Sequence, residues 1–274
     1  MDVSTWMSLA SDRYLPLMTW QRVAALSRDS LFVLPIGSVE QHGPHLPLLT
    51  DTLTVVHTLE AALHQLPKER PVYALPPIAY ANSIEHAAFP GTLTIDGETL
   101  QKTVMGIGES LARSGFHKLL LLNGHGGNTA ILKETARRLH LSSGLVVFSI
   151  ACGSLWEVDP NELSEEEARL GLHAGQVETS IAMAAFPEWV GELPQAMLPP
   201  EDAWIGPEHA PVTYAWASTD WSESGVLGDP SQASLEMGRR WFNHGVQRLA
   251  ECLSACLSWD PSRSSNRLIE KGGA

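Results

Sequence analysis

Cysteine is scarce in this chain. Cys152, Cys252 and Cys256 are the only three among 274 residues, and none belongs to a Cys-x-x-Cys pair. So odd and scattered a set supports neither a disulfide framework nor a thiolate zinc site, and the three are read as reduced, buried thiols. Positive charge is also short. Eighteen Lys and Arg stand against 31 Asp and Glu, a formal net charge of −13, whereas binding a phosphate backbone rests on Lys and Arg. That balance argues against a nucleic-acid partner. No apolar run approaches the roughly 18 residues of a membrane span. Met1 to Ser30 carries Asp2, Asp12, Arg13 and Arg22 where a signal peptide would have an uninterrupted apolar centre. A cytoplasmic protein with no membrane partner is the expectation.

Several motifs are missing as well. There is no Walker A lysine, no His-Glu-x-x-His and no Gly-x-Ser-x-Gly elbow, so phosphoryl transfer and serine hydrolysis lose their usual supports. Gly124 to Asn128 is not a dinucleotide fingerprint, because Gly-x-Gly-x-x-Gly needs glycine where Thr129 stands.

What remains is ample for a core, at 44% hydrophobic and 18% charged residues. The usual domain mode is about 100–150 residues, yet single α/β domains run to about 200–250. One domain over residues 1–259, followed by a loose tail at 260–274, is expected. Leu31 to Gly37, Val72 to Ile78, Lys118 to Leu122 and Gly144 to Ile150 read as short, nearly unbroken apolar strands. Helical spacing fills the intervals at Asp51 to Leu66, Asp96 to Ser114 and Thr129 to Leu141, and Ser231 to Ser258 closes the chain as a further helix. Thr19 reads as the N-cap of a short first helix. Alternation of this kind predicts an α/β fold, a three-layer α/β/α sandwich around a mostly parallel sheet. Glu157 to Glu167 reads as a solvated acidic helix start. Pro199 to Pro230 has no clear period and carries Trp204, Trp216 and Trp221. It fits either a loop covering a site or a subunit contact.

Two polar stretches follow apolar strands: Gly37-Ser38-Val39-Glu40-Gln41-His42-Gly43-Pro44-His45 leading to Asp51, and Asn123-Gly124-His125-Gly126-Gly127-Asn128. Ligands of open α/β sheets gather at the carboxyl ends of strands. Glu40 and His42, two residues apart in extended chain, point the same way and can share a cation. Asp51 opens the next helix and is the candidate to bridge two ions, which in hydrolases lie roughly 3.5–4 Å apart. His125 sits among glycines that let the backbone turn, with Asn128 placed to cap the following helix. Mixed carboxylate and imidazole ligands suit zinc or manganese, with iron as a further option. In His173-Ala174-Gly175-Gln176-Val177-Glu178, a helix entered at Gly175 would let both His173 and Glu178 face one cavity. Glu178 would then complete the second cation's ligands, and His173 would carry protons. Read alone, the pair also fits a cap and a helix-dipole partner.

Together these stretches resemble the creatininase family of metal-dependent amidohydrolases, whose patterns are Gly-Ser-x-Glu-Gln-His-Gly-Pro-His with a downstream Asp, Asn-Gly-His-x-x-Asn, and His-x-Gly-x-x-Glu-Thr. The likeness runs from Thr19 to about Arg240. It includes Ser83-Ile84-Glu85-His86 through Phe89-Pro90-Gly91-Thr92, and Gly225 to Pro230. It implies a dinuclear site, a homo-oligomer (a hexamer built as a trimer of dimers), Glu40, His42, Asp51 and His125 as ligands, and His173 as the catalytic histidine. One position departs: creatininase has a metal-ligating glutamate where Gly127 stands. The Asn-Gly-His-Gly-Gly-Asn branch includes a formamide deformylase and a peptidase that trims the mycofactocin precursor.

The expected function is hydrolysis of a non-peptide C–N amide in a small molecule, cyclic amide or formamide. Two divalent ions would polarise the carbonyl and lower a water's pKa from about 15.7 towards 7. His173 and Glu178 are the catalytic candidates. Ser83, Glu85, His86, Gly126 and Gly127 are the candidates to line the substrate pocket. A peptidase of the mycofactocin-precursor type and a non-catalytic metal-binding protein are the alternatives.

Overall fold

The computed structural model describes residues 12–200, 204–207 and 210–260; most of the expected tail, from residue 261, lies outside them. Four strands form a parallel sheet in the order β2-β1-β3-β4: β1 (Leu31–Ile36), β2 (Val72–Ala74), β3 (Lys118–Asn123) and β4 (Val146–Ala151). The pleat sends alternate residues to opposite faces, and the packing follows that period. Leu31, Val33, Leu120 and Leu122 meet α2 (Thr50–Gln65) and α7 (Leu235–Ser258) on one side. Phe32, Leu34, Leu119 and Leu121 meet α3 (Gly97–Arg113) and α4 (Thr129–Ser143) on the other. Both faces being covered explains why β1 and β3 are apolar without alternation, and the expected three-layer α/β/α arrangement is what forms.

The ends of the elements show which local signals held. Thr19 accepts from Arg22 N and caps α1 (Trp20–Ala24). Asp96 caps α3 in the same way, and Gly144, at φ +74, closes α4. Strand β2 is shorter than expected because Pro76 and Pro77 have no N–H to donate. The ladder is taken up instead by Leu75 N to Val33 O and Ile78 N to Pro35 O. Asn128 does not cap α4. Its side chain accepts from Asn82 N and donates to Gly37 O, tying three loops together. Helix α7 begins at Leu235, capped by Ser234, after a 3₁₀ turn at Pro230–Gln232.

The acidic stretch from Glu157 departs most from expectation. It breaks into a 3₁₀ turn at Pro160–Glu162 and the short α5 (Glu165–Leu170), and Glu167 is buried at 6% exposure. Its carboxylate accepts from Gln176 N at 2.8 Å and from Asp229 N at 2.6 Å. It is packed against the backbone of Gly171, Gly175 and Gly228, where a Cβ would collide with it. Burial pushes the Glu167 carboxyl up from its usual range, against those donors. Exposed charge cannot do this work; a buried acceptor at the start of α6 (Gln176–Ala185) can. Glu167→Ala is expected to cost about 2–4 kcal/mol, because the backbone donors it satisfies are left without partners. Thermal unfolding of the two proteins measures it.

Candidate metal centre

Strand ends and helix starts converge at one place. Glu40 and His42 leave β1, Asp51 sits in the first turn of α2, and His125 follows β3. His173 ends an antiparallel bridge with Leu227, and Glu178 lies in the first turn of α6. All six are brought together. Glu40 is fully buried, and neither carboxylate oxygen has a hydrogen-bond partner among the described residues. Its Oε1 lies 3.2 Å from His125 Nδ1, 3.5 Å from His86 Nε2 and 3.7 Å from His173 Nδ1. A buried carboxylate with nothing donating to it is costly unless a cation meets it.

Asp51 stands between two such groups. Its Oδ1 lies 3.2 Å from His42 Nε2 and its Oδ2 3.1 Å from His125 Nδ1, while Ser38 Oγ donates to Oδ2 at 2.6 Å. Ligand atoms of Glu40, Asp51 and His125 all lie within 4.8 Å of one another, and so do those of His42, Asp51 and Glu178. Glu40, His42 and His173 make a third such group. The histidine tautomers suit ligation. His42 Nδ1 donates to Glu40 O and His125 Nε2 to Asn82 O, since a carbonyl can only accept. Each imidazole therefore has its outer N–H fixed as metal-bound histidines usually have it and its inner nitrogen turned to the acids, the position from which a cation would displace a proton.

Electrostatics reflect the crowding of acids. Burial opposes charge on His42, yet the Asp51 and Glu40 carboxylates hold its pKa up at about 9. Burial likewise opposes His125, and Glu40 and Asp51 raise it well above its usual value. His173 differs: burial and the nearby His42 lower it to about 4, so its imidazole is neutral at neutral pH. Its Nε2 donates to Gln41 O at 2.7 Å, leaving Nδ1 unprotonated toward Glu40. Glu178 accepts from Ala174 N at 2.6 Å, and burial pushes its carboxyl up. Ala174 is held at φ +53, a conformation rare for a non-glycine residue.

Glu40, Asp51, Glu85, His86, His125, Gly126, Gly127, His173, Glu178 and Trp216 line a cavity of about 290 Å³. Of the five expected pocket residues, four reach its wall. Ser83 does not; it is buried behind His125, its Oγ 3.5 Å from Nε2. Glu85 Oε1 lies 3.3 Å from the same nitrogen, so it steadies the His125 ring as well as facing the cavity. The space that a Gly127 side chain would need is taken: a Cβ there would lie 2.5 Å from Glu85 Oε1 and 2.9 Å from Asn82 O. His86 accepts at Nδ1 from Ser218 Oγ at 2.7 Å and Gln41 Nε2 at 2.8 Å, which leaves its Nε2 on the Glu40 side, 3.5 Å from Oε1 and outside hydrogen-bond geometry. Sequence reasoning passed over Gln41 and Ser218. Gly225, at φ +85, was the available sign, because its backbone lies against the Gln41 side chain and its carbonyl accepts from Nε2. Trp216 comes from the Trp-rich stretch and sits edge-on to His86 at 6.5 Å between ring centres. Trp204 is exposed.

Known proteins are similar to this chain in sequence and fold. The chain is 35% identical over 234 residues to the protein named mycofactocin precursor peptide peptidase of Mycobacterium ulcerans, covering 84% of this chain and 85% of that one. It is 30% identical over 262 residues to the creatinine amidohydrolase of Pseudomonas putida, covering 86% and 94%. Among solved structures, the manganese form of creatininase superposes with a TM-score of 0.71 at 25% identity, over 90% of this chain and 99% of that one. A putative creatinine amidohydrolase from Bacteroides fragilis NCTC 9343 also gives 0.71, at 26% identity over 92% and 98%. The family described as creatininase, creatinine amidohydrolase, matches residues 16–253, and this chain belongs to it.

Proposed function

We propose that this protein hydrolyses a C–N amide bond with two divalent cations, zinc or manganese. The observation that carries the reading is the shared Asp51. One cation would be held by Glu40, Asp51 and His125, the other by His42, Asp51 and Glu178. Glu40 and His42 are each needed in one of these sets, which leaves His173 free of ligation. When bound, the ions supply charge stabilisation at the carbonyl oxygen and a more acidic water. The chain's own groups do the rest. Neutral His173 can take a proton at Nδ1 and return it to the departing nitrogen, its ring held by the Gln41 carbonyl. Glu85 and Gln41 keep the His125 and His86 rings oriented. Trp216 shields one wall of the cavity, which strengthens the charge interactions inside it.

A small non-peptide amide, cyclic amide or formamide, is the substrate class proposed. The second reading, a peptide amide, is favoured by the peptidase relatives. It is also favoured by an open cleft of about 670 Å³ that continues from Glu85, Gly127 and Trp216 past Ile84, Pro207 and Tyr214. A panel of lactams, N-formyl compounds and short peptides separates the two. Activity on some amide, abolished by a chelator and restored by zinc or manganese, is the expected result; metal-loaded protein inert to every class would sink the enzymatic reading. A homo-oligomer, in the hexameric arrangement expected of the family, is also proposed. Strand β4 has no outer neighbour among the described residues, and an open strand edge calls for a cover.

A further inference from the structure

His86 carries a donor that the cation ligands leave unused. Its Nδ1 is met by Gln41 Nε2 at 2.8 Å and by Ser218 Oγ at 2.7 Å. Two backbone groups fix the orientation of the Gln41 amide: Oε1 accepts from Gly43 N at 2.9 Å, and Nε2 also donates to Gly225 O at 3.0 Å. The group facing Nδ1 is therefore an amide N–H, and a proton on Nδ1 would collide with it. Nδ1 accepts, so the ring is neutral and its one proton sits on Nε2.

That N–H belongs to a side chain that lines the first cavity and is only 2% exposed. Among the described residues no acceptor meets it. Glu40 Oε1, at 3.5 Å, lies outside hydrogen-bond geometry, and the Glu40 carboxylate is needed in the ligand set with Asp51 and His125. A buried donor without an acceptor is costly, and one that faces a cavity points to a ligand that accepts there. The neighbouring ring completes the pattern. His173 lies 4.1 Å from His86 between ring centres, and its unprotonated Nδ1 is 3.7 Å from the same Glu40 oxygen. One oxygen of the ligand cluster is thus flanked by a fixed proton donor and a proton acceptor. An amide offers the matching pair, a carbonyl oxygen that accepts and a nitrogen that must be protonated to leave, one carbon apart.

We propose that His86 is a catalytic residue, a neutral hydrogen-bond donor whose Nε2–H meets the carbonyl oxygen of the substrate amide. As a water oxygen bonds to the carbonyl carbon, the C=O π pair moves onto that oxygen, and the N–H···O bond strengthens with the growing charge. The pair returns as the C–N bond breaks, and His173 delivers the proton to the departing nitrogen. His86 ends as it began, neutral and protonated at Nε2; a neutral imidazole suffices to polarise a carbonyl. The inference rests on the amidohydrolase reading and adds to it an electrophile supplied by the chain itself.

His86→Asn keeps an acceptor near Nδ1 for Gln41 and Ser218 but places nothing at the Nε2 position, whereas His86→Gln can put an amide N–H there. With both ions still found by elemental analysis, kcat of His86→Asn should fall about 10²–10³-fold. KM should barely change, because the bond is stronger in the transition state than with bound substrate. The pH profile should keep its shape, and His86→Gln should recover part of the rate. Gln41→Leu removes the N–H that fixes the tautomer without altering the ring; it should also lower kcat, and it serves if His86→Asn does not fold. Titration calorimetry on the metal-loaded protein gives a readout without turnover. Acetohydroxamate, whose carbonyl oxygen would meet the same donor, should bind His86→Asn about tenfold to a hundredfold more weakly, the worth of a hydrogen bond to a charged group. Full rate in His86→Asn overturns the donor role. Loss of an ion, or of one limb of the pH profile, overturns it too, and would make His86 a ligand or a proton carrier. Acetohydroxamate binding that weakens in His86→Asn, with no amide cleaved by the unaltered protein, would keep the donor and discard the amidohydrolase reading. Binding unchanged in both His86→Asn and Gln41→Leu discards the donor alone.

Discussion

Asp51→Ala is expected to lose both cations at once. Elemental analysis should drop from about two ions per chain to well under one, because the two three-residue ligand sets have Asp51 in common and each would fall to two protein ligands. Catalytic sites commonly supply about three. The rate on any amide substrate should fall by at least about 10³-fold, since several kcal/mol of charge stabilisation is removed and each 1.36 kcal/mol is a decade. Stability should move in a different pattern. Asp51 accepts from Ser38 Oγ and faces His42 and His125, so its loss leaves those groups without their acceptor. It also relieves an acid packed close to Glu40 and Glu178. The two effects oppose each other, and the metal content is therefore the cleaner readout. Retention of both ions would remove Asp51 from the bridge and leave the centre mononuclear or differently built.

The parts of this site that were legible in the sequence are those fixed by chain-local rules. Two strands written as unbroken apolar runs, Leu31–Ile36 and Leu119–Leu122, announce burial on both faces. Polar residues crowded just past their ends are then at the mouth of a sheet. Glu40, His42 and His125 follow from that alone. Asp51 follows because a helical period begins beside it. His173 and Glu178 needed one more inference, that Gly175 breaks the chain before α6, and the structure has Gly175 at that N-cap. What stayed hidden depends on contacts between segments far apart in sequence. Glu167 read as one more acid in a solvated run, yet it is buried by glycines at 171, 175 and 228, the last more than sixty residues away. No periodicity reports that. Gln41 likewise looks like a spacer between two ligands until Gly225 and Ser218 come into reach of it and His86. Residue 127 is the reverse case. Its glycine marked a missing ligand in the sequence; the structure adds the reason a side chain is excluded, the Glu85 carboxylate pressed against His125.

His173→Ala and Glu178→Gln should separate proton transfer from cation binding. His173 is buried, neutral, and hydrogen-bonded through Nε2 to Gln41 O, with Nδ1 toward the acid cluster. Removing it takes away a proton carrier and no member of the two ligand sets that share Asp51. Turnover should fall about 10²–10⁴-fold, the usual contribution of a general acid–base, while elemental analysis still finds both ions. Glu178→Gln acts on the other term. The amide keeps the shape and can still accept from Ala174 N, so the loop held at Ala174 has its partner. Only the charge is lost, and with it the third protein ligand of the set built on His42 and Asp51. Second-site occupancy and rate should fall together, and both should recover partly at raised metal concentration, which His173→Ala cannot do. Full occupancy and full rate in Glu178→Gln would reduce that glutamate to a first-turn partner of the α6 dipole. Loss of both ions in His173→Ala would instead move His173 into the ligands, through the third donor group that it forms with Glu40 and His42. The proton carrier would then have to be sought among the remaining groups of the cavity wall, with His86, already turned to Glu40, the next to test.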